Sequence, residues 1–383
     1  MDSPTRKCRL AILGSTGSIG QQALQVVEEA RELFDVKILA AGTRYDDLLQ
    51  QSQSFPSANA ILVNPKNSEA TTGSRILTGS AALHDALESE QIDLVLNGIT
   101  GFAGLEYSLK SLQTGCDLAL ANKESLVTAG ALLKSVATAS NCRIIPVDSE
   151  HNAILQCLSN QPDNTVNRIT LTASGGPFRG CKRDELSTVT PEQALNHPTW
   201  KMGRRISVDS ATLFNKAFEV IEAVELFGTP PGGIDVVVHP QSVVHAFVEF
   251  IDGNCLAHLS EPDMKVPIRH ALHREQRYSG NFTPLDLVSR GELTFEPIDH
   301  EVFPALRLAE EVLKRPGSTL GAVFNAADEV VVDCFLSGDA GFLTIYDVVA
   351  RALQEHEPTA ADSLEAILEA DLETRKRVRS WIP

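Results

Sequence analysis

Short apolar runs alternate with amphipathic stretches through the first half of the chain. The amphipathic stretches have the apolar spacing of helices, and one such helix is predicted over 19–34. Strands that alternate with helices in this way predict a parallel sheet covered on both faces. The runs that predict its strands are 9–13, 36–41, 60–63, 94–97, 118–121 and 143–147.

The pattern changes after about residue 149. Long loops and one strong helix near 210–227 separate the strands predicted at 169–173, 234–239, 246–250 and 255–259. From 303 onward the pattern predicts helices alone, at 303–314, 319–336, 345–355 and 364–381. We therefore predict an α/β protein with an N-terminal Rossmann-like parallel-sheet domain, a central α+β domain and a C-terminal four-helix bundle.

Length and charge narrow the class of protein. A chain of 383 residues is expected to form two or three domains, and its net charge of −17 argues against a nucleic-acid partner. The segment 179–216 is nevertheless rich in basic residues, which indicates either an anion site or a solvated basic face. Its basic residues are Arg179, Lys182, Arg183, Lys201, Arg204, Arg205 and Lys216.

Cysteine usage and hydropathy indicate a cytoplasmic protein. The seven cysteines are scattered, odd in number and without a C-x-x-C pair, which is typical of a reducing compartment. The first ten residues are polar and lead into a strand, so we expect no signal peptide. No apolar run reaches the roughly 18 residues that span a bilayer, so no membrane partner is expected.

A glycine-rich turn follows the first predicted strand. The sequence Gly14-Ser15-Thr16-Gly17-Ser18-Ile19-Gly20 has the spacing G-x-x-G-x-x-G and leads into a helix. Glycines let a pyrophosphate approach the backbone, and the helix N-terminus offers unpaired N–H groups. The turn therefore predicts a dinucleotide site, and the alternative is a tight turn that binds nothing.

The second strand ends in Gly42-Thr43-Arg44, where an NAD enzyme usually carries Asp or Glu. An arginine and a hydroxyl suit a 2′-phosphate, which favours NADP over NAD. The alternative is an ordinary surface arginine.

Acidic residues point to a metal site. If the strand 143–147 stays extended, Asp148 and Glu150 project to the same side, and two close carboxylates call for a cation. Oxygen ligands favour Mg²⁺ or Mn²⁺ over zinc, although a D-x-E pair also suits a polar strand end. Glu219, one helical turn after Asn215 and Lys216, is a third candidate; its alternative is a surface ion pair with Lys216.

A lysine and two irregular segments complete the candidate chemistry. Lys123 follows the strand next to that of Asp148, where it could orient a hydroxyl or simply keep the sheet edge soluble. The segment from Thr172 to Arg179, after a predicted strand, offers hydroxyl and N–H donors. The segment from His197 to Arg204 has the composition of a mobile lid, although Trp200 could equally be a core aromatic.

Taken together, these segments resemble the 1-deoxy-D-xylulose 5-phosphate reductoisomerase family, which uses NADPH to make 2-C-methyl-D-erythritol 4-phosphate for isoprenoid synthesis. The resemblance keeps the family's order over most of the chain. Its segments are GSTGSIG (14–20), ANKESLV (121–127), PVDSEHNAI (146–154), SGGPFR (174–179), HPTWKMGRRISVDSAT (197–212), NKAFEVIEA (215–223), HPQSVVH (239–245) and PDM (262–264).

The resemblance implies roles for individual residues. Catalysis would fall to Lys123, which contacts the reacting hydroxyls, and to the metal ligands Asp148, Glu150 and Glu219. The ion would be Mg²⁺ or Mn²⁺, with Co²⁺ as a third candidate. The substrate contacts implied are Ser149, Glu150, Ser174, His197, Trp200, Ser210, Asn215, Lys216 and Glu219. The NADPH contacts implied are Gly14, Thr16, Gly17, Ser18, Ile19, Gly42, Arg44, Asn122, Glu124, Met202 and Gly203.

The resemblance also implies the organisation of the molecule. It indicates a homodimer that acts on a small phosphorylated sugar by retro-aldol cleavage and re-addition or by an α-ketol shift, followed by hydride transfer. Residues 1–148 would bind NADPH, 149–281 would carry catalysis with a flap at 197–207, 282–302 would be a linker and 303–383 a helical domain.

Two other functions are compatible with parts of the sequence. A semialdehyde or acyl-phosphate reductase would need a cysteine nucleophile beside a base, and no cysteine here lies in such a motif. A non-catalytic NADP sensor would not need carboxylates, a phosphate site and a flap together.

Overall fold

A computed structural model describes residues 6–65, 76–162, 165–200 and 202–382. Lys201, part of the predicted basic segment and flap, therefore lies outside the described residues. The chain divides into two compact units. The first unit comprises Met1–Asn122, Leu133–Asn152 and Asp263–Phe282, and the second comprises Lys123–Leu132, Ala153–Pro262 and Thr283–Pro383.

The first unit is built on a parallel sheet with strand order β4-β3-β2-β1-β5-β6-β7. Every described pairing within it is parallel. The strand order reverses between β1 and β5, and open α/β sheets bind ligands beside the carboxyl ends of strands at such a point. The strands are β1 (Cys8–Leu13), β2 (Phe34–Ala41), β3 (Asn59–Leu62), β4 (Leu77–Thr78), β5 (Leu94–Asn97), β6 (Asp117–Leu120) and β7 (Ile144–Pro146).

The second unit contains a mixed sheet with strand order β11-β10-β8-β9-β12. In it β8 pairs parallel with β9 and antiparallel with β10, while β11 and β12 pair antiparallel at the edges. The strands are β8 (Val166–Ala173), β9 (Ile234–Val238), β10 (Val244–Phe250), β11 (Cys255–Leu259) and β12 (Glu296–Pro297).

Helices flank both sheets and make up most of the last part of the chain. Those before the mixed sheet are α1 (Ser18–Glu29), α2 (Tyr45–Ser54), α3 (Ser80–Ser89), α4 (Leu105–Gln113), α5 (Lys123–Ala139) and α6 (Ser149–Leu158). Those that follow are α7 (Pro191–Leu195), α8 (Arg204–Ala211), α9 (Phe214–Phe227), α10 (Lys265–Leu272), α11 (Leu287–Arg290), α12 (Ala305–Leu313), α13 (Leu320–Ser337), α14 (Thr344–Glu355) and α15 (Leu364–Trp381).

The predicted α/β fold class is confirmed, including the N-terminal parallel sheet and the four helices α12 to α15. The first helix is shorter than predicted: α1 ends at Glu29, and Phe34 already belongs to β2. The two-residue strands β4 and β12 were not predicted.

The helix predicted near 210–227 is confirmed as α9 over Phe214–Phe227, but its predicted first residues belong to the end of α8, and the chain breaks between the two helices. Leu213 at the break has a left-handed backbone, with φ of 60°. The Thr212 hydroxyl donates to the Val208 carbonyl oxygen at 2.9 Å and accepts from the Phe214 N–H at 3.5 Å, which satisfies polar groups at the junction. The break gives α9 its own N-terminus beside Asn215 and Lys216.

The chain does not stay extended through 148–150, so the condition set for Asp148 and Glu150 is not met. β7 ends at Pro146 and α6 begins at Ser149, so Glu150 lies in the first helical turn. The Asp148 carboxylate accepts the Ser149 N–H at 2.8 Å, and the Asp148 carbonyl accepts the Asn152 N–H at 2.9 Å. These bonds start the helix, so strand alternation does not set the directions of the two acidic side chains.

Within the described residues, every helix is too short or too polar to cross a membrane.

Candidate active site

The glycine-rich turn joins β1 to α1 in the first unit. Gly14 has φ of 78°, and the N–H groups of Gly14 and Ser15 both donate to the Ala40 carbonyl oxygen at 2.8 Å. A Cβ on Gly20 would lie 2.4 Å from the Gly14 carbonyl oxygen, so the helix can approach the turn only with glycine there. Gly17 is the N-cap of α1 and has no side chain to cap it. This is the geometry in which a helix N-terminus receives a phosphate.

The other NADPH candidates of this unit lie near carboxyl ends of its strands. Gly42 and Arg44 are exposed after β2, and Arg44 forms an ion pair of 3.6 Å with Asp47 while remaining 55% exposed. Asn122 after β6 is buried, and its amide donates to the carbonyl oxygens of Ile99 at 2.8 Å and Gly101 at 2.9 Å. Asn122 therefore also shapes the loop after β5.

Asp148, Ser149 and Glu150 lie where β7 passes into α6. β6 and β7 are parallel neighbours, as the sequence predicted, and β7 is an edge strand of the sheet. Ser149 is buried and its hydroxyl donates to the Glu150 carboxylate, while Asp148 and Glu150 are half-buried. The Asn152 amide donates to the Pro146 carbonyl oxygen at 2.8 Å and holds the turn in place. Two carboxylates, one just before α6 and one in its first turn, thus lie at the sheet edge.

In the second unit, Lys123, Asn215, Lys216 and Glu219 form a buried polar cluster. Lys123 Nζ lies 2.6 Å from Asn215 Oδ1 and 3.2 Å from Glu219 Oε1. Asn215 Nδ2 donates to Glu219 Oε1 at 2.5 Å, and Lys216 donates to Glu219 Oε2. Glu219 is 1% exposed and Lys216 3% exposed, so the alternative of a surface ion pair is wrong. The two ammonium groups and the Asn215 amide thus hold the Glu219 carboxylate in a fixed position.

His197 organises the beginning of the predicted flap. Its Nδ1 accepts the backbone N–H groups of Thr199 at 3.1 Å and Trp200 at 2.9 Å, so the proton of the neutral ring lies on Nε2. Nε2 lies 2.9 Å from Ser174 Oγ and donates to it. Burial lowers the pKa of His197, which keeps the ring neutral at pH 7. Trp200 is half-buried, as is Met202 further along.

The turn after β8 packs against the end of α8. Gly175 and Gly176 have φ of 85° and 63°, and the Gly176 N–H donates to Ser174 Oγ at 3.3 Å. A Cβ on Gly176 would lie 2.8 Å from the Ser210 carbonyl oxygen. Ser174 and Ser210, two predicted substrate contacts, therefore lie on segments that touch each other.

Sequence comparisons identify the family of this chain. The domain family described as 1-deoxy-D-xylulose 5-phosphate reductoisomerase matches residues 10–130, and the two described as its C-terminal domains match 144–227 and 259–377. A relative of that name from Bacteroides fragilis strain YCH46 is 43% identical over 98% of both chains. Another from Arthrobacter sp. strain FB24 is 46% identical over 96% of both.

This chain belongs to the 1-deoxy-D-xylulose 5-phosphate reductoisomerase family. The family and enzyme class predicted from the sequence are therefore confirmed.

Solved structures of reductoisomerases agree with this assignment. The enzyme from Zymomonas mobilis in complex with NADPH is 39% identical, with a TM-score of 0.90 over 98% of this chain and 99% of that one. A reductoisomerase in complex with NADPH, fosmidomycin and magnesium is 36% identical, with a TM-score of 0.91 over 97% and 98%.

The second unit also contains a charged cluster around Arg205, which the reductoisomerase motifs did not predict. Arg205 is the third residue from the end of the predicted flap, and its partners include Asp328 and Glu329 of α13. The available signal was an Asn and an acidic pair inside the otherwise apolar run of α13. Nothing in the sequence, however, indicated which basic residue they would meet.

Proposed function

We propose that this protein converts 1-deoxy-D-xylulose 5-phosphate into 2-C-methyl-D-erythritol 4-phosphate, with NADPH as reductant and a divalent metal ion as cofactor. Family membership supports this reaction. The structural observation that carries it is the buried cluster in which Lys123 and Lys216 flank Glu219. Burying a carboxylate with two lysines costs desolvation energy, and buried ionisable groups of this kind cluster at binding and catalytic sites.

NADPH would bind along the carboxyl edge of the parallel sheet. The turn from Gly14 to Ile19 would receive the pyrophosphate through backbone N–H groups and the start of α1. Arg44, with its exposed guanidinium after β2, would contact the 2′-phosphate. The NADPH named for the related complexes supports this assignment. The remaining proposed contacts are Gly42, Asn122, Glu124, Met202 and Gly203.

The metal ion would be held by Asp148, Glu150 and Glu219. All three side chains offer carboxylate oxygens, which suit Mg²⁺, the ion named for related structures, and also Mn²⁺ or Co²⁺. When bound, such an ion polarises a carbonyl and an adjacent hydroxyl of the substrate. Lys123 would then orient the reacting hydroxyls from the protein side, with Ser149 beside the substrate.

The substrate phosphate would bind in the second unit. We assign it to Ser174, Ser210, Asn215 and Lys216, with His197 nearby, because these residues lie on touching turns or in the buried cluster. The flap 197–207 would close with Trp200 over the substrate and exclude water while the carbon skeleton rearranges. Both the retro-aldol route and the α-ketol shift are compatible with these residues.

We further propose that the protein is a cytoplasmic homodimer. Each chain would have an NADPH-binding domain (1–148), a catalytic domain (149–281), a linker (282–302) and a helical domain (303–383). All seven cysteines are free thiols, which supports a reducing compartment.

The edge strand β11 leaves Leu256 41% exposed, and the preceding turn leaves Ile251 70% exposed. A second copy covering this edge would bury both residues. Sedimentation should therefore give a dimeric mass, and Leu256→Lys should shift it towards the monomer; a monomeric wild type would contradict the proposal.

The direct test of the function mixes protein, NADPH, Mn²⁺ and 1-deoxy-D-xylulose 5-phosphate and follows the absorbance of reduced nicotinamide. We expect oxidation of NADPH that requires all components and stops when EDTA is added. NADPH that stays reduced, or oxidation unaffected by EDTA, would contradict the proposal.

A further inference from the structure

Arg205 lies in the first turn of α8, and acceptors from two other helices surround its guanidinium. Nη1 donates to Glu124 Oε1 of α5 at 3.1 Å and to Glu329 Oε1 of α13 at 2.6 Å. Nη2 donates to Asn325 Oδ1 at 3.1 Å and Asp328 Oδ2 at 3.0 Å, both on α13. The side chain is 18% exposed. Arg205 therefore ties the beginning of α8 to α5 and α13 together.

A second arginine extends these contacts to the last helix. Arg375 of α15 forms an ion pair with Glu329 and donates to Asp371 at 2.7 Å and 2.9 Å. Glu329 thus bridges two guanidinium groups. We call the whole set the Arg205 cluster: Arg205, Glu124, Asp209, Asn325, Asp328, Glu329, Asp371 and Arg375.

Two of the C-terminal helices, α13 of the cluster and α14, touch the segments with the proposed substrate contacts. α13 lies directly on α5, since a Cβ on Gly321 would be 1.9 Å from the Val127 carbonyl oxygen. On α14, the buried Tyr346 hydroxyl donates to the Thr212 carbonyl oxygen at 3.1 Å, at the break between α8 and α9. A shift of these C-terminal helices would therefore move α5 and the α8–α9 junction with them.

The charges of the cluster do not balance, because its carboxyl groups outnumber its two guanidinium groups. Burial raises the pKa of Asp328 to about 6, and it raises that of Asp209 well above the usual range. Arg205 opposes both shifts, and its Nε lies 3.7 Å from Asp209 Oδ2. A lysine could not replace it, since one ammonium group lacks the planar fork that reaches acceptors on separate helices.

Two members of the cluster stand next to proposed substrate contacts in the chain. Glu124 follows Lys123, and Asp209 precedes Ser210. We infer that Arg205 is a positioning residue for the proposed reaction: by holding Glu124 and Asp209 it orients Lys123 and Ser210, and it anchors the carboxyl end of the flap to the C-terminal helices. This inference depends on the proposed function, because it assigns roles to Lys123 and Ser210.

The test uses steady-state kinetics together with a flap signal independent of turnover. The chain has two tryptophans, Trp200 and Trp381, so Trp381→Phe leaves the flap indole as the sole tryptophan reporter. In that background we compare Arg205→Lys and Glu329→Gln with the unaltered cluster. Arg269→Lys is the matched control, because Arg269 is also a buried arginine, paired with Glu29 at 2.6 Å in the first unit.

We expect Arg205→Lys to lower kcat/KM by about ten- to a hundredfold, since a displacement of about 1 Å from the reactive geometry has effects of that size. Its melting temperature should fall no further than that of Arg269→Lys, whose kinetics should stay within about threefold of the parent. Addition of substrate and NADPH should change Trp200 fluorescence less than in the parent. Glu329→Gln should act in the same direction but more weakly.

The possible outcomes separate this inference from the proposed function. A parent protein that does not turn over the substrate would refute the proposed function, whatever the variants do. An active parent with unchanged kinetics and fluorescence in Arg205→Lys would refute the positioning role. Equal losses in Arg269→Lys would show a general effect of removing a buried arginine and would also refute it. If Arg205→Lys does not fold, Glu329→Gln tests the positioning role in its place. Kinetics in Glu329→Gln equal to those of the parent would then overturn the inference.

Discussion

Lys123 Nζ lies 3.2 Å from Glu219 Oε1, and the two side chains are 9% and 1% exposed. They are 96 residues apart in sequence, so the fold of the second unit, and not local helix geometry, brings them together. The same carboxylate also accepts from Asn215 and Lys216. Loss of Glu219 would therefore affect two lysines, and loss of either lysine would leave the other in contact with the acid.

Glu219→Gln should reduce turnover by at least about a hundredfold, because changes in the surroundings of a metal ligand already cost ten- to a hundredfold. NADPH binding, assigned mainly to the first unit, should stay nearly intact when measured by fluorescence titration. Glu225→Gln on the same helix serves as the control and should keep its activity. Parallel loss of NADPH binding and turnover in Glu219→Gln would mean that Glu219 is structural.

Lys216→Ala should weaken substrate binding through the phosphate. A charge-assisted hydrogen bond is worth about 1.5–3 kcal/mol, which corresponds to a rise in KM of roughly ten- to a hundredfold. The dephosphorylated sugar should bind the variant and the wild type equally poorly. A fall in kcat with unchanged KM would argue against phosphate contact.

The turn from His197 to Trp200, at the start of the flap, should lose stability as the pH falls. Because burial lowers the pKa of His197, the folded turn binds a proton less readily than the unfolded chain. The stability contributed by the neutral ring is complete above the ordinary histidine pKa of 6.5 and declines below it, since protonation of Nδ1 removes the bonds from Thr199 and Trp200. NMR titration should place the His197 pKa below 6.5. A pKa at or above that value would contradict the hydrogen-bonding scheme.

Two glycines with left-handed backbones allow a matched comparison. Gly176 and Gly180 have φ of 63° and 80°. A Cβ added at Gly176 would meet described atoms within 4 Å, whereas one added at Gly180 would meet none. Gly180→Ala should cost about 1–2 kcal/mol of unfolding free energy from the backbone alone. Gly176→Ala should cost more and raise KM, because the turn would be pushed off Ser210. Equal melting temperatures and unchanged KM would show that the close approach is unimportant.

Most of the fold could be predicted because buried parallel strands are continuous apolar runs. Three local features could not. β4 and β12 have two residues each, too few for a pattern. Leu213 has a left-handed backbone, which the sequence would indicate only if glycine or asparagine stood at that position. The helix that begins at Ser149 was also not predicted, although Asp148 before it is a favourable N-cap residue. The strand pattern of 143–147 favoured a continued extended chain instead.

The site was predicted mainly from its resemblance to known motifs. Those motifs contain the residues of the buried cluster from Lys123 to Glu219, but residue spacing alone did not show that they meet. The Arg205 cluster was missed because its members come from four helices in separate parts of the chain; Arg205 and Glu329, for example, are 124 residues apart. Only the three-dimensional packing of α5, α8 and α13 brings them together.

Mn²⁺ binding, followed by electron paramagnetic resonance, is the sharpest test of whether Asp148, Glu150 and Glu219 hold one divalent ion. We expect one tight Mn²⁺ per chain in the wild type and marked weakening in Asp148→Asn, Glu150→Gln and Glu219→Gln alike, with folding confirmed by circular dichroism. A folded Glu219→Gln protein that binds Mn²⁺ as tightly as the wild type would show that Glu219 is not a ligand and would overturn the proposed metal site.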